Sequence, residues 1–285
     1  MHYSIKIYAR IGELVQGILP DGNDFLVSGL PSETLCTEAI LEEGCAQEPL
    51  PPKTRQAITC FLKAYAGNKT NPLSGRSIRL QSNIPPGKGL SGSSTDVLSV
   101  LCLLNDYFQT NCCPDDLYRI AADVEPTDPC LSDGIVVFRQ RTGVTLAEIR
   151  LPPLSLIYFD GAPGWQTDTM GVERRYPPDA PQRYNELLYL FMRAAVERDY
   201  PALLECVTRS AEYNQSILPL PRFDDYYRMA MEQQAGLMIA HSGTIVGWLV
   251  RPEEADRLSE KIERMDLPAP VFRERYFPPS MSNYA

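Results

Sequence analysis

The stretch Pro85 to Asp96, Pro-Pro-Gly-Lys-Gly-Leu-Ser-Gly-Ser-Ser-Thr-Asp, constrains this chain more than any other. The run before it, Ser77 to Ile84, alternates polar and apolar residues and reads as a strand. The run after it, from about Ser94 to Phe108, is apolar nearly all round and reads as a buried helix. The result is a strand, a glycine-rich loop and a helix in direct succession. Gly87, Gly89 and Gly92 let backbone approach a ligand closely. Ser91, Ser93, Ser94 and Thr95 add hydroxyls, and Lys88 adds a positive charge. The first amides of the helix favour an anion. Pro86, Gly87, Lys88, Gly89, Leu90, Ser91, Gly92, Ser93, Ser94 and Thr95 together read as a phosphate cradle. Two other readings compete. Glycine and serine also cap helices where no ligand binds, and a Walker A loop needs Ser or Thr directly after the Lys, where this chain has Gly89.

Composition narrows the setting. A chain of 285 residues that is 44% hydrophobic and 22% charged can bury a sizeable core, in one large domain or two ordinary ones. A net charge of −9 argues against nucleic-acid and anionic-membrane partners. No apolar run is long enough to span a bilayer, and the N-terminus reads as a strand start instead of a signal peptide. The eight cysteines lack Cys-x-x-Cys spacing and read as reduced thiols in a cytoplasmic protein. With only His2 and His241 present, a zinc cluster is disfavoured and acid–base work falls to carboxylates.

In chain order, strands are expected at Tyr3 to Ala9, Phe25 to Ser28 and Thr34 to Leu41, and a helix at Lys53 to Ala66 with Gly67 as its stop. The buried helix after the loop is followed by one opened by Pro114 and ending near Val124. A hairpin at Ile135 to Phe138 and Val144 to Ile149 closes a first domain, residues 1–150. Leu151 to Pro153 then links to a second, residues 151–285. The second opens on a strand at Leu154 to Phe159. Helices follow at about Pro181 to Asp199, Pro201 to Gln215 and Phe223 to Gln234. A strand at Gly236 to Ala240, another at Val246 to Val250, a helix at Glu253 to Met265 and a last strand at Val271 to Tyr276 complete a split βαβ plan. The polar segment Trp165 to Arg175 is either a pocket border or a solvated loop.

Three further stretches carry candidate chemistry. Gly12-Glu13-Leu14-Val15-Gln16-Gly17 is a glycine-flanked turn displaying Glu13 and Gln16; taken alone it is also an ordinary hairpin. Glu125-Pro126-Thr127-Asp128 sets two carboxylates on a turn after a helix, since Pro126 keeps Glu125 out of the helical region. On its own this is a common surface turn. Its Glu125 stands 32 positions after Ser93, one helical hairpin, so antiparallel helices would return it to the cradle. His241-Ser242-Gly243 begins a glycine turn between two short strands.

Pro85, Gly89, Leu90, Ser91, Ser93 and Ser94 resemble the phosphate motif of the GHMP kinases, the superfamily of galactokinase, homoserine kinase, mevalonate kinase and phosphomevalonate kinase. Gly92 departs from that motif, standing where its first Ser usually stands. The early Gly-Glu segment and the late Ser242-Gly243-x-x-x-Gly247 turn resemble its other motifs, in the family's order. Leu14 replaces the family's usual His. Gly-Glu-Leu-x-Gln-Gly, Glu-Pro-Thr-Asp and His241 look like the L-threonine kinase branch. The resemblance implies an α+β, two-domain fold, with an N-terminal ATP-binding domain like ribosomal protein S5 and a C-terminal ferredoxin-like domain. It implies ATP and Mg²⁺ as cofactors, with Lys88 and the loop amides on the phosphates and Ser93 and Glu125 on the metal. Asp128 is implied as the base for the substrate hydroxyl, with Asp133 as its rival. Glu13, Gln16, Asp128, His241, Ser242 and Gly243 are implied around the substrate. The implied substrate is a small hydroxy amino acid, L-threonine, phosphorylated for the cobalamin nucleotide loop; homoserine kinase and a non-catalytic ligand sensor are the alternatives. Oligomeric state stays open, a homodimer included.

Overall fold

The computed structural model describes residues 3–44, 49–65, 73, 75–165 and 176–278. Gly67 and residues 166–175 of the polar segment lie outside these.

Two long strands, β1 (Tyr3–Ile18) and β2 (Asp24–Glu43), form an antiparallel ribbon that organises the first half of the chain. The first residues of β1 are alternately exposed, as expected for one wet face, whereas Ala9 to Gly17 is continuously buried. That second stretch is covered by helices from both halves of the chain. The sequence predicts two strands where β2 runs as one. The register jumps between the Tyr8–Cys36 and Arg10–Pro31 pairs, so the interval after Pro31 bulges without ending the strand. The Ser32 hydroxyl holds the bulge by accepting the amides of Thr34 and Leu35.

β3 (Arg76–Ser82) pairs with β2, and the hairpin of β4 (Ile135–Arg139) and β5 (Val144–Ile149) extends the sheet to the order β1-β2-β4-β5. α1 (Pro52–Tyr65), α2 (Gly92–Phe108) and α3 (Pro114–Ala122) pack on it. α2 is central. Val97, Leu98, Val100, Leu101, Leu103 and Leu104 are all sealed from water, which makes the start of this helix a rigid platform.

A second sheet takes the order β7-β8-β6-β9 from β6 (Leu154–Asp160), β7 (Gly236–Ile239), β8 (Ile245–Val250) and β9 (Phe272–Tyr276). Its pairings are all antiparallel, the arrangement of a ferredoxin-like split βαβ unit. α4 (Ala180–Glu197), α5 (Tyr200–Gln215) and α6 (Phe223–Gln233) lie between β6 and β7, and α7 (Ala255–Ile262) lies between β8 and β9. The helix predicted over 253–265 is shorter than expected, because Pro252 sets a 3₁₀ turn before it and the helix stops at Ile262. One apolar core joins the halves: Ile11, Leu14 and Val15 of β1 pack with Tyr184 and Phe191 of α4 and with Met238 of β7.

Candidate active site

The glycine loop sits where the two halves meet. Ser91 takes a left-handed conformation (φ 55°), and α2 begins at Gly92, two residues before the predicted start. Ser93 and Ser94 therefore belong to the first helical turn, beside amides that have no helical acceptor. Gly89 also has positive φ (82°) and nearly touches the opposite half: a Cβ there would stand 2.3 Å from the Ala240 side chain. Gly243 is as tightly placed, since a Cβ on it would meet the Lys88 carbonyl carbon at 2.2 Å. The amides of Thr244 and Ile245 both donate to the Lys88 carbonyl, at 3.0 and 3.1 Å. Gly12 donates its amide to the Gly89 carbonyl at 3.2 Å. The loop is thus clamped from β1 on one side and from the β7–β8 turn on the other.

An open cleft lies over this loop, lined by its residues from Pro85 to Ser94 except Pro86, and by Glu13, Glu125, Pro126, Asp128, Gln140 and Ser242. The Glu-Pro-Thr-Asp turn is carried back to the cradle by the α2–α3 hairpin. Ser93 Oγ donates to Glu125 Oε1. The Asp128 amide donates to Ser94 Oγ at 2.9 Å, and Ser94 Oγ reaches Asp128 Oδ2 at 3.4 Å. Gln140 Nε2 donates to Asp128 Oδ1 at 2.7 Å. Burial raises the Asp128 carboxyl above its ordinary range, and the charge of Glu125 adds to this; hydrogen bonds from Gln140, Ser91 and Ser94 oppose it. A carboxylate pushed up by its surroundings inside a cleft is suited to taking a proton. Asp133 is exposed and does not line the cleft.

Several expected site residues stand elsewhere. Lys88 does not aim its charge at the cradle. Its Nζ pairs with Asp160 Oδ2 at 2.8 Å and donates to the carbonyls of Ala162, Pro163 and Trp165. Thr95 turns into the sheet, donating to the Gly92 carbonyl and meeting the Thr37 hydroxyl at 3.0 Å. The Leu90 side chain joins the apolar core, so only its backbone belongs to the loop. Gln16 lies behind the cleft, its Nε2 on the Ile239 carbonyl at 3.3 Å. The amide of His241 donates to Glu13 Oε2 at 2.5 Å, while Ser242 faces the cleft and Gly243 packs on the loop.

Two residues were not singled out from the sequence. Gln140 follows β4, and its carbonyl accepts the Thr127 amide at 3.0 Å, which fixes the acidic turn. Lys53, in the first turn of α1, donates to Glu125 Oε2 at 2.5 Å. A cation at a helix N-terminus opposes the helix dipole, and that local misfit was the available signal.

The donor set suits a hard divalent cation. Ser93 hydroxyl and Glu125 carboxylate are adjacent oxygen donors, and Mg²⁺ takes few protein oxygens beside water and phosphate. These two residues are the ones that would hold it.

A strand, a glycine loop and a helix on an α+β scaffold thus face a glycine turn from a ferredoxin-like unit. Residues 53–135 match the family model for the GHMP kinases N terminal domain. The fold agrees over nearly the whole chain with a mevalonate kinase from Methanococcus jannaschii (TM-score 0.70, 15% identity, 96% of this chain and 98% of that one). It agrees likewise with a homoserine kinase from Cytophaga hutchinsonii (TM-score 0.66, 16% identity, 95% and 94%). The family match is confined to residues 53–135, and beyond that segment the likeness to these kinases is one of fold. Among curated relatives the chain is similar to the L-threonine kinase of Citrobacter freundii, 25% identical over 85% of this chain and 84% of that protein. It is also similar to a 4-diphosphocytidyl-2-C-methyl-D-erythritol kinase of Prosthecochloris aestuarii, 25% identical over 98% of each.

Proposed function

We propose that this chain is a GHMP small-molecule kinase and transfers the γ-phosphoryl group of ATP to the side-chain hydroxyl of a hydroxy amino acid, L-threonine, giving L-threonine O-3-phosphate. The observation that carries the reading is the convergence of Ser93, Ser94, Glu125 and Asp128 on the glycine loop in one cleft. The acceptor oxygen forms a bond to the γ-phosphorus as the bond from that phosphorus to the β–γ bridging oxygen breaks and ADP departs. The hydroxyl proton passes to the Asp128 carboxylate. Loop amides hold the phosphates, and Ser94 and Gln140 keep Asp128 aimed. Bound Mg²⁺, held by Ser93 and Glu125, supplies charge neutralisation; positioning and electrostatics carry most of such a transfer.

Glu13 supports an amino-acid acceptor. It lines the cleft, and the His241 amide fixes its carboxylate where an ammonium group can meet it. The similarity to a kinase acting on a diphosphocytidyl compound favours a second reading. Glu13, which has no part in holding the metal, counts against that acceptor, because a substrate diphosphate would meet its carboxylate in the cleft. The test is ADP release with L-threonine, L-homoserine, mevalonate and 4-diphosphocytidyl-2-C-methyl-D-erythritol, for the wild type, Asp128→Asn and Asp133→Asn. We expect turnover on L-threonine, lost by roughly 10²–10⁴-fold in Asp128→Asn and kept in Asp133→Asn. Turnover on the diphosphocytidyl compound alone would replace the acceptor, and loss confined to Asp133→Asn would replace the base.

A further inference from the structure

We infer that Lys53 is a phosphate-binding residue of the transfer reaction, its ammonium directed to the terminal phosphate of the nucleotide. The inference rests on the ATP-kinase reading above and adds a residue to it.

Charge around the cleft poses the problem. Glu13, Glu125 and Asp128 bring carboxylates to its lining, and Asp96 lies close enough for the Glu125 charge to help raise its carboxyl, after burial, the larger cause. A triphosphate entering here needs cations, because phosphoryl transfer depends on neutralising charge on the moving group. The loop's own lysine is engaged elsewhere: Lys88 is nearly surrounded by Asp160 and main-chain carbonyls. Arg10 is buried, with its guanidinium on the carbonyls of Gly29 and Ser132.

Lys53 stands where the missing charge is needed. One carboxylate, Glu125, accepts the Ser93 hydroxyl on Oε1 and the Lys53 ammonium on Oε2. The ammonium and the cradle hydroxyl are therefore only a carboxylate's width apart. The carboxylate is fixed, with 4% of its side chain exposed, whereas Lys53 keeps 38% exposed and a flexible stem. The ammonium can thus swing from Glu125 to an incoming phosphate oxygen without repacking the core. The placement also breaks a local rule. A cation in the first turn of α1 opposes the helix dipole, and no acidic residue there compensates it. Such conflicts gather at functional sites.

The experiment compares nucleotides that differ by one phosphate. Dissociation constants for ATP and ADP, each with Mg²⁺, are measured by calorimetry for the wild type, Lys53→Met, Lys53→Gln and Lys53→Arg. Steady-state kcat is measured alongside, and thermal melts confirm that each variant is folded. Lys53→Met should lose roughly tenfold or more in affinity for ATP and keep ADP within about twofold, as expected for one charge-assisted contact. Its kcat should fall by roughly 10²-fold or more, and Lys53→Arg should regain part of the preference for ATP. Equal losses for ATP and ADP in both Lys53→Met and Lys53→Gln, or no loss for either, would overturn the assignment. Because binding is read directly, a wild type that bound nucleotide but phosphorylated no alcohol would sink the transfer reading. The ATP–ADP comparison would then still decide what Lys53 touches.

Discussion

Two lysines flank the glycine loop, and each holds one carboxylate. Lys88 lies within the loop motif and Lys53 far outside it. Lys88 and Asp160 join the halves of the molecule and are nearly dry, with 10% and 19% of their side chains exposed. Asp160 also accepts the Thr244 hydroxyl at 2.6 Å and the Ala162 amide at 3.0 Å, so the pair is embedded in a saturated network. Lys53 and Glu125 share one dry carboxylate and one wet ammonium. The contrast teaches that membership of a motif does not settle what a charge does. A saturated, buried ammonium fixes structure, and a half-exposed one beside a rigid carboxylate is available to a ligand.

Removing each ammonium in turn should sharpen that contrast most. Lys88→Met leaves Asp160 uncompensated in a dry interface, and we expect a loss of up to about 3 kcal/mol in unfolding free energy by urea titration. Lys53→Met should cost less, about 1–2 kcal/mol, because its ammonium is partly solvated and the Ser93 hydroxyl stays on the buried Glu125 carboxylate. Comparable losses from the two would erase the distinction. Next in size is Gly243→Ala. Its Cβ would press on the backbone of Lys88 and Gly89, at 2.2 and 2.3 Å, where no side-chain end can yield. We expect a cost of about 1–3 kcal/mol from overpacking, with weaker nucleotide binding as the loop is pushed from its clamp. Unchanged nucleotide affinity in a folded Gly243→Ala protein would show that the clamp and the cradle are uncoupled.

Much of this architecture was legible in the order of residues, for reasons visible at particular positions. The apolar circumference of Val97 to Leu104 announced a buried helix, and Pro126 announced the turn that carries Glu125 and Asp128. The α2–α3 hairpin then did what its length suggested and set Glu125 against Ser93. What stayed illegible was direction. Lys88 could not be known to point at Asp160, since that partner lies 72 positions away and arrives only through the sheet-to-sheet contact. Gln16 and Thr95 carry polar groups that satisfy backbone and strand neighbours, a need fixed by tertiary packing. The residues read as two strands, Phe25 to Ser28 and Thr34 to Leu41, yet a bulge joins them within one continuous strand.

The acidic turn offers the smallest effect and the finest test of the same contrast between fixed and available charge. Burial holds the Asp128 carboxyl above its ordinary range, and the hydrogen bond from Gln140 pulls it back down by favouring the ionised form. A base must be ionised to accept a proton, so activity should be complete at high pH and fall as pH drops through the raised value. Gln140→Leu removes the donor and adds apolar surface, and both changes disfavour the carboxylate. The acid limb of the kcat profile should therefore move to higher pH, by up to about one unit, or about 1.4 kcal/mol. Activity at alkaline pH should be largely retained, because Ser94 still holds the Asp128 amide. A limb that stayed in place, or moved to lower pH, would mean that the titrating group is not Asp128. The acid-base role would then have to be sought on another carboxylate of the cleft, Glu13 first.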